Sequence, residues 1–164
     1  MRLKDKVAVV TGASSEIGIS IVKRFVEEGA KVVLLGRKLD SLEKARTTIS
    51  NKNATVSMQC DITNEAQVLQ TVEQILNKYG SIDILVNSAG AINDPIHFHE
   101  MPDSEITKLI DVNMYGVFKM TKAVLPNMRE NKNGCIINIG SISSERAIPR
   151  VHLAVYSATK AAIS

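Results

Sequence analysis

The sequence predicts an α/β fold, a doubly wound layer of parallel strands with helices on both faces. Three observations predict it. Short, continuously apolar runs alternate with amphipathic helical patterns along the whole chain. Those runs lack the apolar–polar alternation of a half-exposed sheet, and strands covered on both faces read this way. The glycines and polar residues able to do chemistry fall just after the runs, at the carboxyl ends of strands, where open parallel sheets bind their ligands.

The elements follow in order. Residues 6–11 form the first apolar run. A helix comes next, with Ile17, Ile21, Val22, Phe25 and Val26 on one face and Gly29 as its stop signal. Residues 31–35 make the second strand, and Asp40 with Glu43 fits a capping box that opens a second helix. The third strand is 55–60, followed by a helix from about Asn64 to Tyr79 that stops at Gly80. The fourth strand is 83–86. A long helix carrying Ile106, Ile110, Met114 and Val117 leads to the fifth strand, 135–139. Such a succession closes into one parallel sheet through right-handed crossovers.

At 164 residues the chain reads as a single domain large enough to bury a core. A net charge of +3 is spread without any run of like sign, so neither nucleic acid nor a membrane surface is expected as a partner. The charged start Met1-Arg2-Leu3-Lys4-Asp5 is not followed by an apolar segment of the secretory type. Cys60 and Cys135 form no CxxC pair and read as buried small hydrophobes in a reducing compartment, which places the protein in the cytoplasm. The last residues, Ala161-Ala162-Ile163-Ser164, stop inside a helical pattern, and the apolar fifth strand has no later strand beside it. Either a partner chain covers that edge or the chain is a fragment, and the favoured expectation is a fragment, incomplete at its carboxyl end.

Thr11-Gly12-Ala13-Ser14-Ser15-Glu16-Ile17-Gly18 joins the first strand to the first helix. Glycine there lets backbone approach a pyrophosphate, and the helix start offers free N–H groups and partial positive charge. Gly12, Ser14, Ser15, Ile17 and Gly18 are the candidate contacts. In a fold of this class an acid ending the second strand binds a ribose 2′-hydroxyl, whereas a base accepts a 2′-phosphate. Here the strand runs into Gly36-Arg37-Lys38, so Arg37 predicts NADP(H) in preference to NAD(H).

The turn resembles that of the short-chain dehydrogenase/reductase family, Thr-Gly-x-x-x-Gly-x-Gly, with Glu16 in place of the middle glycine; its side chain is expected to point away from the cofactor. The resemblance runs from the first strand to Ser164. It implies a Rossmann-type sheet in the order 3-2-1-4-5, lacking the carboxyl-terminal strands of the full family fold. Cys60-Asp61-Ile62-Thr63 resembles the family's segment around the adenine, which assigns Asp61 and Ile62 to the cofactor. Asn87-Ser88-Ala89-Gly90 resembles its Asn-Asn-Ala-Gly motif, which assigns Asn87, Ala89 and Gly90.

Tyr156-Ser157-Ala158-Thr159-Lys160 places a phenol and an ammonium one helical turn apart. A free tyrosine, with a pKa near 10, is a poor base at neutral pH, and a neighbouring ammonium favours its phenolate. In the family this pair is catalytic and also contacts the cofactor, and the resemblance carries both roles to Tyr156 and Lys160. It also assigns Asn113 to a proton relay with the lysine. It assigns Ser141 to the substrate carbonyl, with an insertion in the following loop. Ser143 is the alternative, since it satisfies the common spacing to the tyrosine. The implied activity is hydride transfer between NADP(H) and a small alcohol or carbonyl compound, in a homo-oligomer joined through the helices of Asn113 and Tyr156. A noncatalytic nucleotide-binding or interaction module is the competing reading. His97-Phe98-His99 puts two imidazoles on one side of an extended segment and is read as a surface loop, with no metal expected.

Overall fold

Five strands carry the architecture: β1 (Val7–Thr11), β2 (Lys31–Gly36), β3 (Thr55–Gln59), β4 (Ile84–Asn87) and β5 (Cys135–Asn138). A computed structural model describes residues 1–146 and 152–164 of the chain. Among these residues the strands form one parallel sheet in the order β3-β2-β1-β4-β5. Val9 of β1 faces Val33 on one side and Leu85 on the other, so the direction of winding reverses between β1 and β4.

The helices are α1 (Glu16–Glu27), α2 (Leu39–Arg46), α3 (Glu65–Tyr79), α4 (Asp103–Ile110), α5 (Gly116–Glu130) and α6 (Ala154–Ala162). The pleat sends Val7 and Val9 to one face of the sheet, against Val72 and Ile75 of α3 and Met120 and Val124 of α5. Ala8 and Val10 go to the other face, against Val22 and Val26 of α1 and Leu42 of α2. Both faces are dry, which is why β1 and β2 are apolar at successive positions rather than at alternate ones. Asn64 caps α3 by accepting a hydrogen bond from the Gln67 N–H at 3.1 Å, and Gly80 ends it at φ +80°.

Four local expectations are corrected. The residue capping α2 is Lys38, with no side-chain capping bond; Asp40 sits within the first turn, where its charge suits the helix dipole. The strand preceding it runs on through Gly36, and the helix begins at Leu39, so the residues of the capping-box pattern already lie within the helix. Ile17 is 58% exposed, because α1 docks through Gly18, Val22 and Val26 and turns Ile17 to solvent. The long fourth helix divides into α4 and α5 around a π-helical turn, Asp111–Tyr115. Cys135 is exposed, at the start of an edge strand, whereas Cys60 is buried as expected.

Candidate functional site

The glycine turn is shaped by contacts that only hydrogen can fill. Gly12 adopts φ +63°, and a Cβ there would stand 2.7 Å from the Ala89 Cα. A Cβ on Gly18 would collide with the Gly12 carbonyl oxygen and the Ala13 backbone, so this glycine seats α1 against the turn. Ser15 caps the helix: its Oγ accepts from the Gly18 N–H at 3.1 Å and donates to the Gly12 carbonyl at 2.8 Å. The N–H groups of Glu16 and Ile17, in the first turn, lie outside the helix's own ladder of hydrogen bonds. Glu16 is exposed and borders an outer surface with Ile17, Ser20 and Arg24, away from the cleft described next.

A cleft of about 310 Å³ opens over the carboxyl ends of β1, β2 and β4. Of the residues expected from sequence to hold a cofactor, Gly12, Ser14, Ser15, Arg37, Asp61, Ile62, Ala89 and Gly90 line it. Ile17, Gly18, Asn87, Tyr156 and Lys160 are not in its lining. Asn87 lies behind the wall, fully buried, where its amide donates to Asn138 Oδ1 at 2.9 Å and Thr121 Oγ1 at 3.3 Å and ties β4 to β5 and α5. The exposed Arg37 makes no ion pair among the described residues. One carboxylate oxygen of Asp61 accepts from both the N–H and the hydroxyl of Thr63, at 2.9 and 2.8 Å.

Sequence reasoning gave no site role to Thr11, Ser88, Lys108 or Val112, nor to the lining residues Leu35, Gly36, Cys60 and Ala91. Thr11 Oγ1 accepts from the N–H groups of Ser88 and Ala89, at 3.1 and 3.0 Å, and so clamps the β4 loop to β1 at the switch point. Ser88, Lys108 and Val112 also line the cleft. Thr11 had a signal in the motif that precedes Gly12; Lys108 and Val112 had only helical spacing, which cannot say what a helix faces.

At the Gly90 side of the cleft the polar residues converge. Lys160 is 5% exposed and donates from Nζ to the Ile139 carbonyl at 2.8 Å. Burial holds its pKa below the ordinary lysine value of 10.5. Its Nζ lies 6.0 Å from the centre of the Tyr156 ring. A Cβ built on Gly90 would stand in ordinary contact with this Nζ, at 3.6 Å, and with Asn113 Oδ1, at 3.5 Å, so Gly90 marks the place where the two side chains come together. Asn113, fully buried in the π-helical turn, accepts from the Ala91 N–H at 2.7 Å and donates to the Ala91 carbonyl at 2.9 Å and to Thr159 Oγ1 at 3.1 Å. It thereby fastens the β4 loop to α6. The wider turn is what aims this amide inward from a helix that otherwise packs on the sheet. Ser141 Oγ lies 2.8 Å from Ser143 Oγ and accepts from the Ser143 N–H at 3.3 Å. Ser143 is buried and Ser141 half-buried. The loop between Ser141 and Tyr156, where an insertion is expected, includes residues 147–151, which lie outside the described ones.

The three histidines of the chain gather at one edge. His97 and His152 meet edge to face at 4.4 Å between ring centres, and His97 and His99 stack at 5.7 Å. The segment is a short 3₁₀ turn, Phe98–Glu100, rather than extended. Among the described residues no group of three or more His, Cys, Asp or Glu is placed to hold a metal ion.

A parallel sheet whose winding reverses at a glycine turn, with a cleft across the reversal and a Tyr–Lys pair beside it, defines an α/β protein of the dinucleotide-binding class. A profile for the short chain dehydrogenase family matches residues 6–164. An uncharacterized oxidoreductase of Staphylococcus saprophyticus is 43% identical over 173 residues, covering 99% of this chain and 69% of that protein. A second one from the same organism is 41% identical, covering 98% and 64%. Among solved structures, NAD⁺-bound xylitol dehydrogenase matches with TM-score 0.93 and 32% identity, over 99% of this chain and 62% of that one. A metagenomic short-chain oxidoreductase in complex with NADP matches with TM-score 0.90 and 31% identity, over 99% and 73%. The chain belongs to the short-chain dehydrogenase/reductase family, and it spans about two thirds of the length of these relatives. No helix among the described residues is long and apolar enough to cross a membrane.

The cleft fits the nicotinamide dinucleotide the family implies. Gly12 leaves no room for a side chain beside the β4 loop, the first turn of α1 offers N–H groups, and the buried Ser88 Oγ has no hydrogen-bond partner among the described residues.

Proposed function

We propose that this chain is the nucleotide-binding and catalytic part of an oxidoreductase that moves a hydride between NADP(H) and a small alcohol or carbonyl compound. The observation that supports this reading most is the meeting of Asn113 and Lys160 at Gly90, on one side of a cleft with a glycine turn at its base, with the Tyr156 ring centre 6.0 Å from the lysine Nζ. When bound, the nicotinamide supplies the hydride donor or acceptor. Every other task falls to the chain.

Tyr156 donates its phenolic proton to the oxygen of a carbonyl substrate, or takes one from an alcohol in the reverse direction. The Lys160 ammonium stabilises the phenolate left behind. Ser141 steadies the substrate oxygen by a hydrogen bond, in place of the one it shares with Ser143. Asn113 holds Ala91 and Thr159 in register and maintains the lysine's side of the proton relay. Ser14, Ser15, Ile17 and Gly18 present the turn to the pyrophosphate, Asp61 and Ile62 border the adenine, and Asn87, Ala89 and Gly90 shape the wall. Arg37, exposed just past the end of β2 and without an ion pair among the described residues, donates hydrogen bonds to the 2′-phosphate. Two copies associate through α5 and α6; Tyr115, Phe118 and Leu125 leave an apolar patch exposed along the first of these helices and the turn before it. The two free thiols suit a reducing compartment, and a cytoplasmic location forms part of this reading.

The test is Tyr156→Phe, assayed with NADPH against a panel of aldehydes and ketones. General acid catalysis contributes on the order of 10²–10⁴-fold, so turnover should fall by about that factor while NADPH affinity stays within about twofold. A variant that reduces the same substrates at the wild-type rate refutes the assignment.

A further inference from the structure

We propose that Lys108 is a second phosphate anchor of the cleft, held in reserve by Glu105. The proposal rests on the dinucleotide reading given above. Lys108 comes from α4 and lines the same cleft as Arg37 at the end of β2. Val112, four residues further along and so one turn away, lines the cleft as well; one face of this helical segment is therefore a wall of the site. Among the cleft-lining residues, Arg37 and Lys108 are the cations and Asp61 is the acid, with one of its oxygens already committed to Thr63. A nicotinamide dinucleotide brings two pyrophosphate charges, and NADP(H) adds a further phosphate. One guanidinium and a helix start leave that charge undercompensated.

The lysine is neither buried nor locked. Its Nζ lies 3.0 Å from both carboxylate oxygens of Glu105, and its side chain is 53% exposed. An exposed i,i+3 pair of this kind is weak and easily exchanged. A phosphate entering the cleft offers Lys108 a more highly charged partner, and the ammonium transfers from carboxylate to phosphate by rotation of its own side chain. Without ligand, Glu105 keeps the ammonium paired at the cleft wall.

NADPH and NADH are titrated into wild type, Lys108→Met, Lys108→Arg, Glu105→Gln and the double variant Lys108→Met/Glu105→Gln, following nicotinamide fluorescence, with circular dichroism to verify folding. Lys108→Met should weaken binding about five- to tenfold and flatten its dependence on salt, because one ion contact is lost. Lys108→Arg should restore most of the affinity. Glu105→Gln should tighten binding about two- to threefold, and that gain should vanish in the double variant, since Glu105 acts only through Lys108. A loss seen with both nucleotides places Lys108 on the pyrophosphate; a loss confined to NADPH places it on the 2′-phosphate. If Lys108→Met binds both nucleotides like wild type, the inference is overturned and the dinucleotide reading stands. If Glu105→Gln tightens binding equally in both backgrounds, the reserve role of Glu105 is wrong. If folded wild type binds neither nucleotide, the dinucleotide reading fails and this inference fails with it.

Discussion

Replacing Lys160 by methionine should make the chain more stable and inactive at once. The lysine is 5% exposed, and among the described residues its ammonium has a single acceptor, the Ile139 carbonyl at 2.8 Å, and no carboxylate partner. Burial therefore opposes the charged form and lowers the pKa. Methionine matches the length and flexibility of the lysine stem and fills the same channel without a charge. It forfeits one charge-assisted hydrogen bond, but Ile139 is only half-buried and its carbonyl can be hydrated. Replacing poorly compensated buried charge by apolar volume is commonly stabilising by about 1–4 kcal/mol, and the lost hydrogen bond puts the expected net gain here near the lower end, about 1 kcal/mol at pH 7. The sign with pH follows from linkage. A lysine whose folded pKa lies below its unfolded value binds fewer protons when folded, so wild-type stability rises with pH between those two values. The advantage of Lys160→Met should accordingly be largest at neutral pH and shrink as pH climbs toward the ordinary value of 10.5. Urea denaturation followed by circular dichroism at pH 7 and again above pH 9 measures both quantities. A variant less stable than wild type at pH 7, or an advantage that grows with pH, would refute the reasoning.

Two further outcomes follow from the packing of the glycine turn and the placement of the two thiols. Gly12→Ala must place a Cβ 2.7 Å from the Ala89 Cα at φ +63°; left-handed backbone alone costs about 1–2 kcal/mol in a non-glycine residue, so thermal unfolding should drop by about 4–8 °C once the clash is added and nucleotide binding should be lost, whereas an unchanged Tm would show that the turn is loose. Of the two thiols, exposed Cys135 should react with a thiol reagent in the native protein and buried Cys60, its pKa pushed up by desolvation, should react only after unfolding; two fast thiols would contradict the packing of β3 against α3.

Much of this was legible from local pattern. Apolar runs such as 31–35 declare buried strands because both faces of the sheet are covered, and the glycine turn declares itself because Gly12 and Gly18 answer steric demands within their own few residues. What escaped was decided elsewhere in the chain. Cys135 looks like core by composition, yet it opens a strand at the sheet edge. Ile17 fits the apolar stripe of α1 yet stands exposed, because the helix docks through the adjacent Gly18 and through Val22 and Val26. The π-helical turn at Asn113 has no propensity signal; its visible reason is a pair of hydrogen bonds to Ala91, 22 residues upstream, and one to Thr159, 46 residues downstream. His152 meets His97 across 55 positions, a juxtaposition that no spacing rule contains. Lys108 reads as an ordinary surface cation until the wall it stands in is known.

The proposed preference of the cleft for NADP(H) is tested most directly by titrating the 164-residue chain with NADPH and with NADH while following nicotinamide fluorescence. A charge-assisted contact is worth about 1.5–3 kcal/mol, so NADPH should bind at least about tenfold more tightly and the preference should vanish in Arg37→Asp. Equal or tighter binding of NADH would contradict the role given to Arg37, and a folded chain that binds neither nucleotide would contradict the account as a whole.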